Sequence, residues 1–178
     1  MRTQAQGFTL IESLVAMAIA AVLLSVATPS FRSLLLNHRL SSQVDGLVTG
    51  LNYARNSALS GNVSTTVCPI GAANSTVCGT NWAAGWMTIH DPAGTPTLLH
   101  RYESPPGLPM LSAVDSSTAS AVQVSFDARG LASSTADFTW CDSRGSAFAR
   151  SVSTLATGFV QAGLTPGQAV WGAALSCP

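Results

Sequence analysis

The most apolar part of the chain lies at its N-terminus. The segment from Leu14 to Ala27 carries no charge, and Phe8, Leu10 and Ile11 extend it backward. The run is about 20 residues long, and at about 1.5 Å per residue a helix of that length crosses a bilayer core of ~30 Å. The pattern therefore predicts a membrane-spanning helix.

Beyond this run, apolar residues recur three and four positions apart, which is the period of one helical face. They are Leu40, Val44, Leu47, Leu51, Ala54 and Ala58. We expect the helix to continue to about Ser60, because Gly61-Asn62 is a stop signal. Gly46 and Gly50 weaken its intrinsic stability by about 1 kcal/mol each. The apolar face is expected to pack on a sheet rather than on a coiled-coil partner.

After Asn62 the pattern changes to short alternating runs rich in β-branched and aromatic residues. The predicted strands are Val63 to Cys68, Trp86 to His90, Leu98 to Tyr102, Val122 to Phe126, Phe138 to Cys141 and Ser151 to Leu155. Loops are predicted at Ser104 to Gly107 and Asp115 to Ser120. One helix followed by strands predicts an α+β fold, with an antiparallel sheet packed on the C-terminal half of the helix.

Composition agrees with a chain that lies partly in a membrane. Charged residues make up 9% of the 178 residues, against roughly 25% in ordinary soluble domains. Eight arginines, eight acids and no lysine give a net charge of zero. Generic attraction to nucleic acid or anionic lipid is therefore not expected. The length fits one globular domain beside the anchor.

The apolar run also suits a cleaved secretory signal, with Ser25-Val26-Ala27 as its cleavage site. Two features disfavour that interpretation. Arg2 is the sole basic residue before the run, and Glu12 lies inside it. A carboxylate at such a position costs about 2.5–3.5 kcal/mol in a bilayer centre, so Glu12 is expected to have a specific role.

The hexapeptide Gly7-Phe8-Thr9-Leu10-Ile11-Glu12, followed by the apolar helix, resembles the cleavage motif of type IV prepilins and type II secretion pseudopilins. The resemblance implies that a prepilin peptidase cuts between Gly7 and Phe8 and methylates Phe8. It also implies that Glu12 pairs with the N-terminal amine of a neighbouring subunit. Pro29 matches a proline at which these helices kink or locally melt.

The resemblance sets the expected domain organisation. A leader covers residues 1–7, a transmembrane and filament-core helix covers 8–29, and a periplasmic domain covers 30–178. Arg2 lies on one side of the apolar run while Arg32 and Arg39 lie on the other, so basic residues do not decide the orientation. The implied location is single-pass in the bacterial inner membrane and then in an extracytoplasmic filament. The implied partners are the peptidase and other pilins or pseudopilins.

Four cysteines are expected to form disulfides in this oxidising compartment. They are Cys68, Cys78, Cys141 and Cys177. A zinc site or free thiols are the alternatives, but no C-x-x-C occurs and His38, His90 and His100 lack ligand spacing. Of the three possible connectivities we favour Cys68 with Cys78, which closes a short loop, and Cys141 with Cys177, which ties down the tail. The other two remain open.

Several internal motifs resemble the FimT and GspH branch of minor pilins. They are Val67-Cys68-Pro69, Trp82 to Trp86, Ile89-His90-Asp91, Phe126 to Gly130 and Phe138 to Asp142. The resemblance implies a structural subunit of a type IV pilus or of a type II secretion pseudopilus, and it does not separate the two machines. The short cysteine loop and the Trp82 to Trp86 stretch favour the pilus.

Enzymatic activity is not expected. The chain has no G-x-S-x-G, P-loop or H-E-x-x-H motif and no paired carboxylates, and no cofactor or metal is predicted. The tryptophans are interpreted as core residues or subunit contacts. They are Trp82, Trp86, Trp140 and Trp171.

DNA capture during natural transformation is the alternative function. Some FimT-like minor pilins bind DNA through arginines after a glycine near the C-terminus, where this chain has Gly158-Phe159-Val160-Gln161. This stretch contains no arginine, whereas binding to phosphates needs cations. DNA binding is therefore possible but not favoured. Arg129, Arg144 and Arg150, which we place in one C-terminal sheet region, are the remaining candidates for a weak DNA-binding patch.

Overall fold

The computed structural model describes residues 9–72, 75–90, 94–104, 109–115 and 120–177. Helix α1 spans Leu10–Gly61. The strands that follow are β1 (Thr65–Pro69), β2 (Gly85–His90), β3 (Thr97–Glu103), β4 (Met110–Val114), β5 (Val124–Phe126), β6 (Ala132–Ser134), β7 (Asp137–Cys141), β8 (Arg150–Thr154) and β9 (Val160–Ala162). Short 3₁₀ helices at Trp82–Ala84 and Ser146–Phe148 precede β2 and β8. Most of the two predicted loops lies outside the described residues.

The chain divides into two compact units, Met1–His38 and Arg39–Pro178. The described part of the first unit is entirely helical after Thr9. The second unit contains the C-terminal half of α1 and all the strands listed above.

Helix α1 ends one residue beyond the predicted Ser60. Asn62 adopts a left-handed backbone conformation with φ of 51°, and the N–H of Val63 donates to the carbonyl of Ala58 at 3.3 Å. Gly and Asn are the residues that most readily end a helix in this way. The stop signal in the sequence therefore acts as expected.

The strands form two antiparallel sheets, where the pattern predicted one. The five-stranded sheet has the order β3-β2-β1-β5-β6, and the four-stranded sheet has the order β4-β7-β8-β9. All six predicted strands are present to within two residues at each end. The three that were not predicted, β4, β6 and β9, are edge strands of the two sheets.

The apolar face of α1 packs on both sheets, as the spacing predicted. Its members, Leu40, Val44, Leu47, Leu51, Ala54 and Ala58, are all buried in one cluster. Val67, Val124 and Phe126 from one sheet and Phe138, Trp140 and Val152 from the other belong to the same cluster. Burying each large side chain contributes about 1.5–3 kcal/mol, so this cluster is the main source of stability.

Trp86 packs against two glycines of the helix surface, Gly46 and Gly50. A Cβ atom added at Gly46 would lie 3.6 Å from the Trp86 ring, and one at Gly50 would lie 2.9 Å from its Nε1. The ring also stacks on Tyr102 at 4.1 Å between centroids. The two glycines, interpreted from sequence only as weak helix positions, therefore leave room for the indole.

The other tryptophans differ in exposure. Trp82 and Trp140 are buried, and Nε1 of Trp82 donates to the carbonyl of Ala121 at 2.7 Å. Trp171 is 66% exposed. Three of the four tryptophans interpreted as core residues or subunit contacts are thus core residues, and Trp171 is a surface residue of this chain, for which a subunit contact stays a prediction.

Candidate functional site

The start of α1 carries a capping motif. Thr9 precedes the first helical residue, and its Oγ1 accepts a hydrogen bond from the backbone N–H of Glu12 at 3.3 Å. Threonine followed three residues later by glutamate is a common helix N-terminus, and a carboxylate there interacts favourably with the helix dipole. Gly7 and Phe8, the predicted cleavage site, lie outside the described residues.

The Glu12 side chain is exposed at this helix start. Within the described part of the chain its carboxylate accepts no hydrogen bond and forms no ion pair. Thr9 caps the helix by accepting from the backbone N–H of Glu12, and the Glu12 side chain takes no part in this cap. The side chain is therefore available to a group from another molecule. This geometry is compatible with pairing to a neighbouring N-terminal amine, which stays a prediction.

The first half of α1 presents apolar side chains on all its faces. Every large apolar side chain that is described from Leu10 to Leu24 is more than half exposed. Of the described helices, α1 is long and apolar enough to cross a membrane. Monomeric soluble proteins rarely expose an apolar surface of this extent, so lipid or neighbouring helices are needed to cover it.

Pro29 lies within α1 by its backbone. A proline has no N–H, so the carbonyl of Ser25 receives no hydrogen bond from position 29. The hydroxyl of Ser25 donates to the carbonyl of Val22 at 2.7 Å. The helix therefore has a missing main-chain hydrogen bond at the position where the sequence analysis predicted a kink or local melting.

Both favoured disulfides are present. Cys68 is bonded to Cys78 and Cys141 to Cys177, with Cα separations of 5.6 and 5.8 Å. All four cysteines are therefore paired, which excludes free thiols and a cysteine zinc site. Among the described residues, no group of His, Cys, Asp or Glu is placed to hold a metal ion.

The second disulfide holds a C-terminal segment, residues 163–177, against the four-stranded sheet. The N–H of Gly163 donates to the carbonyl of Ser151 at 2.8 Å, and that of Gly167 donates to Ala149 at 2.9 Å. The hydroxyl of Ser151 donates to the carbonyl of Gln168 at 3.1 Å. Backbone bonds, a side-chain bond and a covalent bond thus fix the tail.

Arg129 lies in the turn between β5 and β6, beside Asp127. The two side chains form an exposed ion pair of 3.3 Å. The backbone N–H of Leu131, and then that of Arg129 and the Arg129 side chain, donate hydrogen bonds that hold the pKa of Asp127 below its usual range. Arg129 is therefore part of a turn in the five-stranded sheet, and its charge is balanced locally.

Arg144 forms the most buried of the ion pairs among the described residues. Its side chain is 14% exposed and that of Asp142 is 4% exposed, with 2.7 Å between Nη2 and Oδ2. Burial alone would raise the pKa of Asp142, but hydrogen bonds from the Arg144 side chain and backbone, together with its charge, lower it below the usual range. The guanidinium also lies 4.4 Å above the Phe148 ring.

The three candidate DNA-binding arginines do not share one sheet, which corrects the expectation that they occupy one C-terminal sheet region. Arg129 belongs to the five-stranded sheet, whereas Arg144 follows β7 and Arg150 begins β8 of the four-stranded sheet. Arg129 and Arg144 each have an aspartate partner. The sequence motif Phe-Asp-Ala-Arg-Gly around Arg129 thus encodes a turn.

Gly158, the glycine that precedes Phe159-Val160-Gln161, lies in a tight turn. Its φ is 77°, and its N–H donates to the carbonyl of Leu155 at 2.8 Å. Arg55 of α1 donates to the carbonyls of Gly130 and Thr157, at 3.0 and 3.5 Å. Sequence reasoning missed Arg55, because nothing in its neighbours indicates two distant carbonyl partners.

Comparison with known proteins agrees with this architecture. The family model described as type II transport protein GspH matches residues 43–158, and the prokaryotic N-terminal methylation motif matches residues 2–28.

The chain also resembles two crystal forms of the type IV minor pilin FimU of Pseudomonas aeruginosa strain PAO1. The first match has a TM-score of 0.52 at 21% identity and covers 70% of this chain and 87% of FimU. The second has a TM-score of 0.50 at 21% identity and covers 69% and 91%. At this identity the likeness concerns the fold alone. Among curated proteins, no match was found.

Proposed function

The chain belongs to the family of type II transport protein GspH, and from that premise we propose that it is a structural subunit of an extracytoplasmic filament, a type IV pilus or a type II secretion pseudopilus. The precursor is cleaved after Gly7 and methylated on Phe8 by a prepilin peptidase. The mature chain spans the bacterial inner membrane once through α1, with the domain after about Ser30 in the periplasm, until it joins the filament.

The observation that carries this proposal is the uncovered apolar surface of the first half of α1. Side chains from Leu10 to Leu24 are exposed around the whole helix, and the segment falls within the N-terminal methylation motif. Lipid covers such a surface before assembly, and the corresponding helices of neighbouring subunits cover it afterwards. The same apolar helix thus anchors the subunit in the membrane before assembly and packs against other subunits in the filament.

Glu12 is the assembly residue of this proposal. Its carboxylate is exposed, and it lies at the start of the helix whose new N-terminus would begin at Phe8. An ionised carboxylate among apolar helices is expensive unless it is paired. The N-terminal amine of a neighbouring subunit supplies the opposite charge, so pairing would favour assembled subunits over isolated ones.

Cleavage is tested by intact mass of the protein purified from native membranes. The expected mass is that of a chain beginning at N-methylated Phe8 with both disulfides formed. A chain beginning at Thr28, as expected for a secretory signal, would contradict the proposal. An uncleaved chain in cells with an active prepilin peptidase would do so too.

Assembly is tested with Glu12→Gln, which removes the charge and keeps the shape. We expect the variant to be inserted and cleaved but depleted from sheared filaments. Thr9→Val is the matched control, because it removes the helix cap at a cost of about 1 kcal/mol and leaves the carboxylate in place. Equal depletion of both variants would attribute the effect to the helix start rather than to the Glu12 charge.

The choice between pilus and pseudopilus is tested by co-purification. Crosslinking in native membranes, followed by mass spectrometry of captured subunits, identifies either pilus or secretion components. Capture of neither set by the wild-type protein, in cells that express both machines, would contradict a filament role.

A further inference from the structure

A hollow of about 380 Å³ opens at one end of the four-stranded sheet, beside Trp171. Three segments line it: residues 135–137 at the start of β7, residues 153–157 at the end of β8 and in the turn that follows it, and Trp171 of the C-terminal segment. Its polar and aromatic lining includes Thr135, Asp137, Ser153, Thr157 and Trp171. This volume lies within the range of pockets that hold small organic ligands.

The sheet register places two polar side chains of the hollow next to each other. Asp137 of β7 is paired directly with Ser153 of β8. Their neighbours Phe138 and Val152 are buried in the core. Because side chains alternate along a strand, Asp137 and Ser153 lie on the opposite face of the sheet, where the C-terminal segment crosses it.

Trp171 is held at the tip of a tight turn over this face. The N–H of Gly172 donates to the carbonyl of Ala169 at 2.9 Å, and the N–H of Ala169 donates to Ala173 at 2.7 Å. Gly172 has a φ of 87°, a conformation that favours glycine. Since the Cys141–Cys177 bond fixes the same segment, the exposed indole is presented on a rigid support.

The polar groups of the hollow lack internal partners. Within the described part of the chain, no hydrogen bond or ion pair involves the side chains of Thr135, Asp137, Ser153, Thr157 or Trp171. A carboxylate accepts hydrogen bonds, hydroxyls both donate and accept them, and the indole N–H donates. The exposed Asp137 carboxylate, Thr157 hydroxyl and Trp171 indole N–H are therefore available to a ligand, whereas Ser153 is only 4% exposed.

We propose that this hollow is a saccharide-binding site in which a neutral pyranose ring stacks on the Trp171 indole and hydrogen-bonds to Asp137. One face of a pyranose consists largely of C–H groups and packs well on an aromatic ring, while its hydroxyls need donors and acceptors at the edge. The combination of one exposed indole with a carboxylate and hydroxyl side chains matches both requirements.

Charge and composition favour this ligand over two others. A quaternary ammonium group has no hydrogen-bonding atoms and is best bound by several aromatic rings, whereas Trp171 is the single aromatic residue among the lining residues. An acidic saccharide would meet the Asp137 carboxylate at close range, which is repulsive. The proposal does not depend on the filament role, because the site lies entirely in the domain of residues 39–178.

The test is saturation-transfer NMR of the full chain in lipid nanodiscs, which avoids detergents with sugar headgroups. The probes are lactose, cellobiose, maltose and N,N′-diacetylchitobiose, with sialyllactose as an acidic comparison. We expect at least one neutral probe to bind and sialyllactose to bind more weakly than lactose. No binding of any neutral probe at tens of millimolar, or tighter binding of sialyllactose, would overturn the proposal.

Variants assign the binding to the hollow. Trp171→Ala should raise Kd for the bound probe about tenfold, and Trp171→Phe by less, since it keeps a ring. Asp137→Asn should also weaken binding. Leu164→Ala is the control, because Leu164 is a 93% exposed apolar residue of the same segment and lies outside the hollow.

Two outcomes with these variants would also overturn the proposal. Binding that persists unchanged in Trp171→Ala would place the saccharide elsewhere. If the wild-type protein binds no neutral probe and the Trp171→Ala variant is not incorporated into filaments, Trp171 is a contact between subunits. Near-ultraviolet circular dichroism of each variant establishes that the disulfide-bonded domain remains folded.

Discussion

Replacing Gly50 by alanine should destabilise the domain, although alanine is the better helix former. In a helix interior the change from glycine to alanine gains about 1 kcal/mol. At Gly50 the new Cβ would lie 2.9 Å from Nε1 of Trp86, a distance that such atoms essentially never adopt. The indole is 1% exposed and stacks on Tyr102 at 4.1 Å between centroids, so a shift away from Gly50 would disturb this stack. Overpacking of this kind costs about 1–3 kcal/mol.

Gly46→Ala is the matched control, because it makes the same chemical change one helical turn earlier. Its Cβ would lie 3.6 Å from the Trp86 ring, which is ordinary van der Waals contact. We therefore expect Gly46→Ala to gain about 1 kcal/mol, and Gly50→Ala to lose between about 0 and 2 kcal/mol. The two variants should differ by about 1–3 kcal/mol.

The assay is thermal unfolding of the full chain in nanodiscs, with disulfides intact, followed by tryptophan fluorescence. A difference of 1 kcal/mol corresponds to about 2–4 °C in Tm for a chain of this size. Combining Gly50→Ala with Trp86→Phe, which shortens the ring system, should recover part of the loss as a coupling energy. A Gly50→Ala protein as stable as Gly46→Ala would refute the argument that Gly50 accommodates Trp86.

Three further predictions concern charge and crosslinks. Asp142→Asn should destabilise the domain by about 3 kcal/mol, because it removes the carboxylate that is ion-paired with the largely buried Arg144 guanidinium. The pKa of Asp142 is lowered from its ordinary value of 3.8, so the stabilisation that its carboxylate contributes is present above pH 3.8 and is lost as pH falls through the lower pKa of the folded state. Unfolding midpoints measured between pH 6 and 3 should therefore fall more steeply for wild type than for the variant. Cys78→Ser should cost about 3 kcal/mol and Cys177→Ser about 4 kcal/mol on the loop-entropy model, since the bridges span 10 and 36 residues; equal denaturant midpoints for the two variants would contradict that ordering. Duplex DNA should bind no tighter than about 10⁻⁴ to 10⁻⁶ M at physiological salt, and submicromolar binding in an anisotropy titration that disappears with Arg129→Ala would overturn this expectation.

The helix and the interior strands were predictable because burial imposes a period on their sequences. The face from Leu40 to Ala58 repeats at helical spacing, and it is buried as expected. Edge strands carry less of this signal, since one side of each has no neighbour. The segment Ala132–Ser134 is Ala-Ser-Ser and has no β-branched or aromatic residue, so its pairing with β5 comes from the turn at Gly130 rather than from propensity.

Contacts between distant residues were the least predictable part. The helix stop and the short Cys68–Cys78 loop were predicted from local signals, and the structure agrees with both. The Cys141–Cys177 bond is a distant contact that was nevertheless predicted, because it ties down the tail. The Gly50–Trp86 contact and the hydrogen bonds of Arg55 join residues that no spacing relates. The hollow beside Trp171 likewise depends on how the C-terminal segment crosses the four-stranded sheet, which a linear pattern does not contain.

Arg55 also bears on how the domain resists force. Its guanidinium holds carbonyls from two separate turns, those of Gly130 and Thr157. A pull along the axis of the domain's part of α1 would slide the helix across both sheets, and these hydrogen bonds would be loaded together with the apolar face rather than one after another. Bonds loaded in parallel share the tension, so the attachment between helix and sheets yields only when several contacts rupture at once.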